Sequence, residues 1–399
     1  MERRDEVLVI GAGPAGIACA LALETAGIDY RVVDREAVVG STWDRLYPSL
    51  KLNTSRFYSH MPGKKFPLHY GIYASARQYH DYLLEYVSQH DFNIHCGVKV
   101  ERVTRAGNGW LVESSEGACI WRAVVLATGR FGNPWMARLP GTERFEGQVL
   151  HSADFRNEAD FAGQRVMVVG NGPSGMDLVV ALATTVDRPV YLAQRTGIVL
   201  KPRYPWGLPK HGWMLVAEKW PNRFTRWLER RMLALEYRDV AASGIKVPGP
   251  GETTGAAGTR GPELLNAVRS GGAQAVDVPV DFTAEAAILP DGRHLPLDTL
   301  ILATGFRPVL DFLDVDYEVD EQGLPLREAQ DFPVYEGYLP HTGYQLRGLP
   351  GLYVTGIFYK GRGAMYNFVV EACIIALQIE EQFRRQAPVE ALPDLAPAL

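Results

Sequence analysis

EVLVIGAGPAG, from Glu6 to Gly16, and RVMVVGNGPSG, from Arg165 to Gly175, share one form. Each is a short β-branched apolar run, a GxGxxG turn, and then a segment rich in Ala, Leu or Val. An unbroken apolar run of this length predicts a parallel strand buried on both faces, and the glycines predict a tight turn into a helix. The first stretch continues to a second strand, YRVVD, from Tyr30 to Asp34, and the second to VYLAQR, from Val190 to Arg195. Both therefore have the length of a βαβ unit.

The repetition extends outward from these turns. VVLATG (Val124 to Gly129) and LILATG (Leu300 to Gly305) are apolar strands ending in a Thr-Gly turn. Each follows a polar stretch that reads as a β-meander, Val98 to Arg122 before the first and Asp281 to Pro296 before the second. From Gly351 a strand, LYVTG, leads through a glycine-rich loop to apolar residues at helical spacing from Ala364 on, which predicts a long helix. Pro202 to Gly261 is irregular, rich in Pro and Trp, and reads as helical and loop cover on the second nucleotide unit.

The chemistry of each site follows from what ends the second strand. Gly11 permits the turn, Gly13 lets the backbone approach a pyrophosphate, and Gly16 lets the helix pack on the strand, with Pro14 and Ala15 opening that helix. Asp34, with Arg35 after it, is placed to accept hydrogen bonds from ribose hydroxyls, so this ligand carries an unphosphorylated ribose. Gly170, Gly172 and Gly175, with Pro173 and Ser174, repeat the turn, but the strand ends in Arg195. A guanidinium there suits a 2′-phosphate. FAD in the first site and NADPH in the second is the simplest pairing. The expected fold class is α/β, two Rossmann-type dinucleotide-binding domains with the NADPH domain inserted into the FAD domain. The FAD domain takes 1–150 and 306–399, and the NADPH domain takes 151–305 with its cover at 202–261. A lone GxGxxG is commonly a glycine-rich turn and nothing more; the weight comes from two, with paired ATG strands.

Composition excludes other classes. Of 399 residues, 47% are hydrophobic and 22% charged, which places the chain among globular proteins of about two domains. The net charge of −5, without a basic stripe, argues against nucleic acid. Cys19, Cys96, Cys119 and Cys373 are scattered, with no CxxC, which argues against a metal site or a redox dithiol and fits a reducing compartment. Neither a signal peptide nor a membrane-length apolar run is read, so the expected location is cytoplasmic. Without a dithiol to take electrons onward, the outlet expected for a reduced flavin is O2.

A resemblance enters at FEGQVLHSADF, where Phe145, Gly147, His151 and Phe155 stand in the spacing FxGxxxHxxxF. This resembles the fingerprint of the class B flavin-containing monooxygenases, and the chain looks most like compact YUCCA-like and bacterial members. The likeness runs over nearly the whole chain. It includes Gly40-Ser41-Thr42-Trp43, Leu50 to Arg56, Arg77-Gln78 before a tyrosine-rich helix, Ala303-Thr304-Gly305-Phe306 and Gly351 to Gly356. The resemblance implies cofactor contacts from Gly40, Ser41, Thr42, Trp43, Asn53, Thr54, Gln78, Val100, Ala127, Thr128, Gly129, Ala303, Thr304 and Gly305. The plainer reading of Phe145 to Phe155 is an interdomain connector whose aromatics pack, and His151 is not taken as a base.

The same resemblance implies hydride transfer from NADPH to flavin, reaction with O2 to a flavin C4a-hydroperoxide, and oxygen transfer to a small organic substrate. Asn53 stands where Baeyer–Villiger enzymes have Asp and YUCCA-like enzymes tend to have His, and Phe155 replaces a Baeyer–Villiger Trp. Asn53 is therefore the candidate catalytic residue, an amide that donates without delivering a proton. It favours N- or S-oxygenation. Baeyer–Villiger oxidation or oxidative decarboxylation of a 2-oxo acid is the alternative, and an NADPH oxidase or flavin reductase the alternative of a different class. The plainer reading of Asn53 is a turn residue. Substrate-lining segments are expected at Met61 to Tyr73, Pro202 to Trp213 and Phe358 to Asn367. Asn222 to Tyr237 reads as a basic amphipathic helix packed on its own domain, with contact to a membrane surface as the alternative. Oligomeric state stays open at this stage.

Overall fold

The computed structural model describes residues 6–198, 200, 204, 207, 209, 227, 231, 240–247, 260–320, 323–329, 342–357 and 363–385. The amphipathic segment Asn222 to Tyr237 and the cover at 202–261 lie almost wholly outside them. The chain divides into two units, one of Met1–Arg45, Arg56–Asn133 and Arg307–Leu399, the other of Leu46–Ser55 and Pro134–Phe306.

The first unit is built on a seven-stranded sheet. From edge to edge its strands are Arg327–Ala329, Thr342–Leu346, Leu352–Val354, Ala123–Leu126, Val7–Ile10, Tyr30–Asp34 and Ile94–Cys96. Val7 lies opposite both Tyr30 and Ala123, in parallel. All four residues of Val7–Ile10 are buried, which is why this central strand is apolar throughout instead of alternating. The helix Pro14–Thr25 follows at once, with Pro14 in its first turn. It is buried nearly all round because the sheet lies on one side and the long helix Ala364–Arg385 packs on the other. The meander read from Val98 to Arg122 is the antiparallel set Val100–Ala106, Gly109–Ser114 and Gly117–Trp121.

The second unit repeats this plan on a five-stranded parallel sheet, ordered Ala273–Asp277, Val190–Gln194, Val166–Val169, Thr299–Leu302 and Gln148–His151. Its helix Pro173–Leu182 again opens on a proline. Its meander is Asp281–Phe282, Ala286–Ile288 and His294–Pro296.

The division between units falls at 133/134 and 306/307, where the sequence places it at 150/151 and 305/306. The cause is Gln148–His151, which pairs in register with Thr299–Leu302 as an edge strand. The FxGxxxHxxxF run is thus part of the second unit's core and more than a connector. Phe145 is buried against Phe282, and Phe155 stacks on Phe161 at 5.2 Å. Leu46–Ser55 joins the same unit because Tyr47 meets Phe155 edge-on at 5.4 Å and Leu50 packs on the same cluster. Among the described residues, no helix is long and apolar enough to cross a membrane.

Candidate functional site

In the first unit the glycine turn, two strand ends and a short helix converge. Gly11 has φ +113°, and a Cβ there would lie 2.4 Å from the carbonyl oxygen of Ala127. A Cβ on Gly16 would lie 1.8 Å from the Gly11 oxygen. Only glycine fits either position. Gly13 differs: a Cβ there would meet nothing within 4 Å. Gly13 is also the N-cap of Pro14–Thr25, and no side chain caps that helix. An open backbone position beside an uncapped helix N-terminus is a cradle for a pyrophosphate.

The flanking groups are held by backbone. Asp34 accepts from Ala12 N–H at 2.7 Å and from Glu36 N–H at 2.9 Å. Gly40 N–H donates to the Ala12 carbonyl at 3.0 Å, which brings the helix Ser41–Asp44 to the turn. In that segment Ser41 and Trp43 are half-buried and Thr42 exposed, and Trp43 meets Tyr79 edge-on at 4.7 Å. Thr128 donates its hydroxyl to the Val309 carbonyl at 3.1 Å, and Gly129 takes φ +71°. The structure therefore brings Gly11, Gly13, Pro14, Ala15, Gly16, Asp34, Gly40 and Ala127 to one end of the sheet. Arg35 is exposed and lies 3.4 Å from Glu36. Val100 opens the meander and packs half-buried on the first unit's core. Gln78 serves the backbone: it accepts from Ser75 N–H at 2.9 Å, while Ser75 caps Gln78 N–H, a reciprocal capping box.

The second unit reproduces the cradle. Gly170 also has φ +113°, with a Cβ 2.4 Å from the Ala303 oxygen, and a Cβ on Gly175 would lie 1.9 Å from the Gly170 oxygen. Gly172 is open, and Pro173 and Ser174 begin an uncapped helix. The Thr304 hydroxyl donates to the Trp135 carbonyl at 2.5 Å. Arg195 stands exposed just past Val190–Gln194. Lys246, which the sequence reading missed, donates to the Gln194 carbonyl at 3.1 Å and pairs with Asp277 at 2.5 Å, so a second cation stands at this strand end.

His151 anchors this turn. Its Nδ1 accepts from Ala153 N–H at 3.0 Å and its Nε2–H donates to the Gly305 carbonyl at 3.0 Å. Burial pushes the imidazole below its ordinary range. Both ring nitrogens are occupied, which suits a strut and not a base.

Asn53 and Thr54 are half-buried in the segment Leu46–Ser55 and so belong to the second unit, not to the one that carries Gly11 to Gly16. Of the expected substrate-lining segments, Met61 to Tyr73 is described. Pro202 to Trp213 lies largely outside the described residues, and of Phe358 to Asn367 only 363–367 is described. The four cysteines are unpaired thiols. Cys19 is buried, its pKa pushed up by that burial, and it lies within electrostatic reach of Cys373 on the packed helix Ala364–Arg385. The residue missed in the first unit is Gly356, at φ +79°, whose Cβ position would lie 2.9 Å from Ala15 Cβ. Its signal was the third Thr-Gly strand end, LYVTG.

Two uncapped glycine cradles, one ending in an acid and one in a base, define an oxidoreductase of two dinucleotides. Residues 8–203 match the family model described as pyridine nucleotide-disulphide oxidoreductase. The chain is 30% identical to "Probable indole-3-pyruvate monooxygenase YUCCA9" of Arabidopsis thaliana, over 95% of this chain and 90% of that protein. It is 29% identical to indole-3-pyruvate monooxygenase YUCCA1 of Oryza sativa subsp. japonica, over 96% and 95%. Among solved structures, a flavin-containing monooxygenase from Stenotrophomonas maltophilia superposes with TM-score 0.71 at 23% identity, over 95% of this chain and 99% of the other. The NADP+-bound cyclohexanone monooxygenase from Rhodococcus sp. Phi1 superposes with TM-score 0.69 at 18% identity, over 95% and 84%. These two share the fold.

The chain belongs to the class B flavoprotein monooxygenases. It is a flavin-dependent monooxygenase that uses FAD, NADPH and O2 on a small molecule.

Proposed function

We propose that FAD binds the first cradle and NADPH the second, and that the substrate is a 2-oxo acid, oxidised with loss of CO2. The observation that carries the substrate class is that the similar curated proteins are indole-3-pyruvate monooxygenases matched over 95% of this chain, both cradles included. Written out, 2-oxo acid, O2, NADPH and H+ give the one-carbon-shorter acid, CO2, NADP+ and water. One oxygen atom enters the acid and the other leaves as water. NADPH and the C1–C2 bond each supply two electrons.

Bound FAD supplies the acceptor for the NADPH hydride and the centre at which O2 is reduced. The residues of this chain bind, orient and exclude water. Gly13 and the helix start at Ala15 would hold the pyrophosphate of FAD, and Asp34 its ribose, with Gly40 to Trp43 and Ala127 to Gly129 at the same end of the sheet. Gly172 to Gly175 and Arg195 would hold NADPH, with Ala303 to Gly305 at the same end of the sheet. Asn53 is the amide this reading assigns to the chemistry, a group that would donate a hydrogen bond without releasing a proton.

Asn53 also supports a second reading, N- or S-oxygenation, because an amide suits transfer to a soft nucleophile that needs no base. One experiment separates the two. The enzyme is reduced anaerobically with NADPH and mixed with 18O2 and either 2-oxo acids or tertiary amines and sulfides. One CO2 per NADPH and one 18O in the shortened acid are the expected result. 18O in an N- or S-oxide, without CO2, overturns the 2-oxo acid assignment in favour of the second reading. H2O2 alone with every substrate overturns both.

A further inference from the structure

Glu371 is a buried acid that the reaction above does not use. It lies within the first unit on Ala364–Arg385 and has no exposed surface. One carboxyl oxygen accepts from the Thr355 hydroxyl at 2.6 Å and from Gly356 N–H at 3.3 Å. The other has no hydrogen-bond partner among the described residues. A carboxylate left half-satisfied in the interior is costly, and the neutral acid is the cheaper form. Burial pushes the carboxyl up to about 7, against smaller opposing pulls from Thr355, Arg327 and Gly356.

The position of its partners gives this acid a target. Thr355 and Gly356 follow the strand Leu352–Val354, at the sheet end where Gly11 turns. The Cβ position of Gly356 is 2.9 Å from Ala15 Cβ and 3.8 Å from Gly129 Cα. Glu371 thus holds the turn that closes on the first cradle. The described titratable or charged groups that face it are Cys19 from Pro14–Thr25, Arg327 from Arg327–Ala329 and Tyr344 from Thr342–Leu346, with Arg327 stacked on Tyr344 at 4.9 Å.

We infer that Glu371 is a positioning residue that holds Thr355-Gly356 against the FAD cradle as a neutral acid, and that its ionisation weakens FAD binding. This rests on the reading of Gly11 to Gly16 as the FAD site. The pyrophosphate brings negative charge to the N-terminus at Ala15. A second negative charge on Glu371, on the far side of the Thr355-Gly356 turn, repels it through the protein interior, where charges are poorly screened. Binding of FAD then favours the protonated acid, and by linkage FAD affinity falls as pH rises through about 7.

The test is the FAD dissociation constant of the holoenzyme, read from the fluorescence of FAD released on serial dilution between pH 6 and 8.5. Wild type is expected to weaken about 3- to 10-fold across that range. Glu371→Gln keeps the shape and the accepting oxygen but cannot ionise; it should bind FAD as wild type does at pH 6, with no slope. Thr355→Val removes a donor that favours the carboxylate, so its pH midpoint should move upward, and it carries the test if the glutamine variant does not fold. Equal slopes in wild type and Glu371→Gln, with FAD lost in Gly13→Glu, overturn the role of Glu371 while the cradle stands. Full FAD binding by Gly13→Glu overturns the cradle assignment and the inference with it.

Discussion

The carboxylate of Asp34 accepts the backbone N–H of Ala12 at 2.7 Å, tying the end of the second strand to the glycine turn that follows the first. The second unit ties the same two places in reverse: the Asn171 side chain reaches out of its glycine turn and donates to the Thr196 carbonyl at 2.6 Å. In the first unit, then, the strut is the strand-end side chain that is also the proposed ribose acceptor. In the second, the turn supplies the strut, and the strand-end Arg195 is the proposed ligand contact. Asp34→Ala removes two charge-assisted hydrogen bonds, each worth about 1.5–3 kcal/mol. It should lower the melting temperature and weaken FAD retention at least ~10-fold. Flavin fluorescence during thermal unfolding measures both, and an unchanged holoenzyme would refute the coupling of strut and acceptor.

The glycines of each turn should divide into two behaviours. Gly11→Ala and Gly170→Ala put a Cβ 2.4 Å from the carbonyl oxygens of Ala127 and Ala303 at φ +113°, so both should fold poorly or not at all. Gly13→Asp and Gly172→Asp meet open space and should fold. Each places a negative charge where a phosphate is to sit. The first is expected to purify colourless, and the second yellow but reduced by NADPH ~100-fold more slowly. Circular dichroism, the flavin absorbance and anaerobic reduction rates check all four.

Arg195 should set the choice of nicotinamide cofactor. A charge-assisted, bidentate contact to a 2′-phosphate is worth roughly 1.5–3 kcal/mol, so Arg195→Ala should raise the KM for NADPH about 10- to 100-fold. The KM for NADH, which lacks that phosphate, should change little. Loss of both alike would place the 2′-phosphate elsewhere, with Lys246 the next residue to replace.

The duplication was legible because much of the demand for glycine is local: a positive φ at Gly11 and Gly170, and a Cβ position at Gly16 or Gly175 that meets the glycine carbonyl five residues back, admit no other residue. The βαβ periodicity and both meanders were legible for the same reason. What the chain did not disclose depends on distant partners. Gln148–His151 is a four-residue strand whose parallel partner, Thr299–Leu302, comes far later in the chain. Asn53 reads as part of the first nucleotide domain until Tyr47 is seen packed on Phe155. Glu371 carries no local signal, because its burial depends on Thr355 and the sheet beneath it. Gln78 carried a legible local signal, Ser75-x-x-Gln78, which is a capping box whatever else the side chain touches.

Acid should loosen the second unit through Asp298. This carboxylate accepts from Arg165 N–H at 2.7 Å and Arg165 Nε at 2.9 Å, clamping the start of Val166–Val169 to the start of Thr299–Leu302. The Arg165 side-chain hydrogen bond holds its pKa at about 2, below the ordinary 3.8. Because the folded value is depressed, the contribution is fully present above the ordinary value and is lost as pH falls through about 2. Arg165 is 32% exposed and Asp298 38%, so solvent screening reduces the effect. Asp298→Asn should lower the melting temperature at pH 7 and flatten its fall between pH 4 and 2.

Asn53 separates its two readings by coupling efficiency. If its amide holds the reacting oxygen, Asn53→Ala leaves both cradles intact. The variant should purify yellow and accept hydride from NADPH at the wild-type rate. What it should lose is the yield: NADPH consumption continues, H2O2 rises, and oxygenated product falls about 10- to 100-fold, the range expected for removal of one aligned donor. Asn53→Asp keeps the size but replaces a donor with an anion, so it should be no better than alanine in yield. If Asn53 is only a turn residue of Leu46–Ser55, the losses should appear instead as a lower melting temperature with coupling unchanged. Parallel measurement of NADPH, H2O2 and product, beside thermal unfolding, therefore decides between a catalytic amide and a structural one.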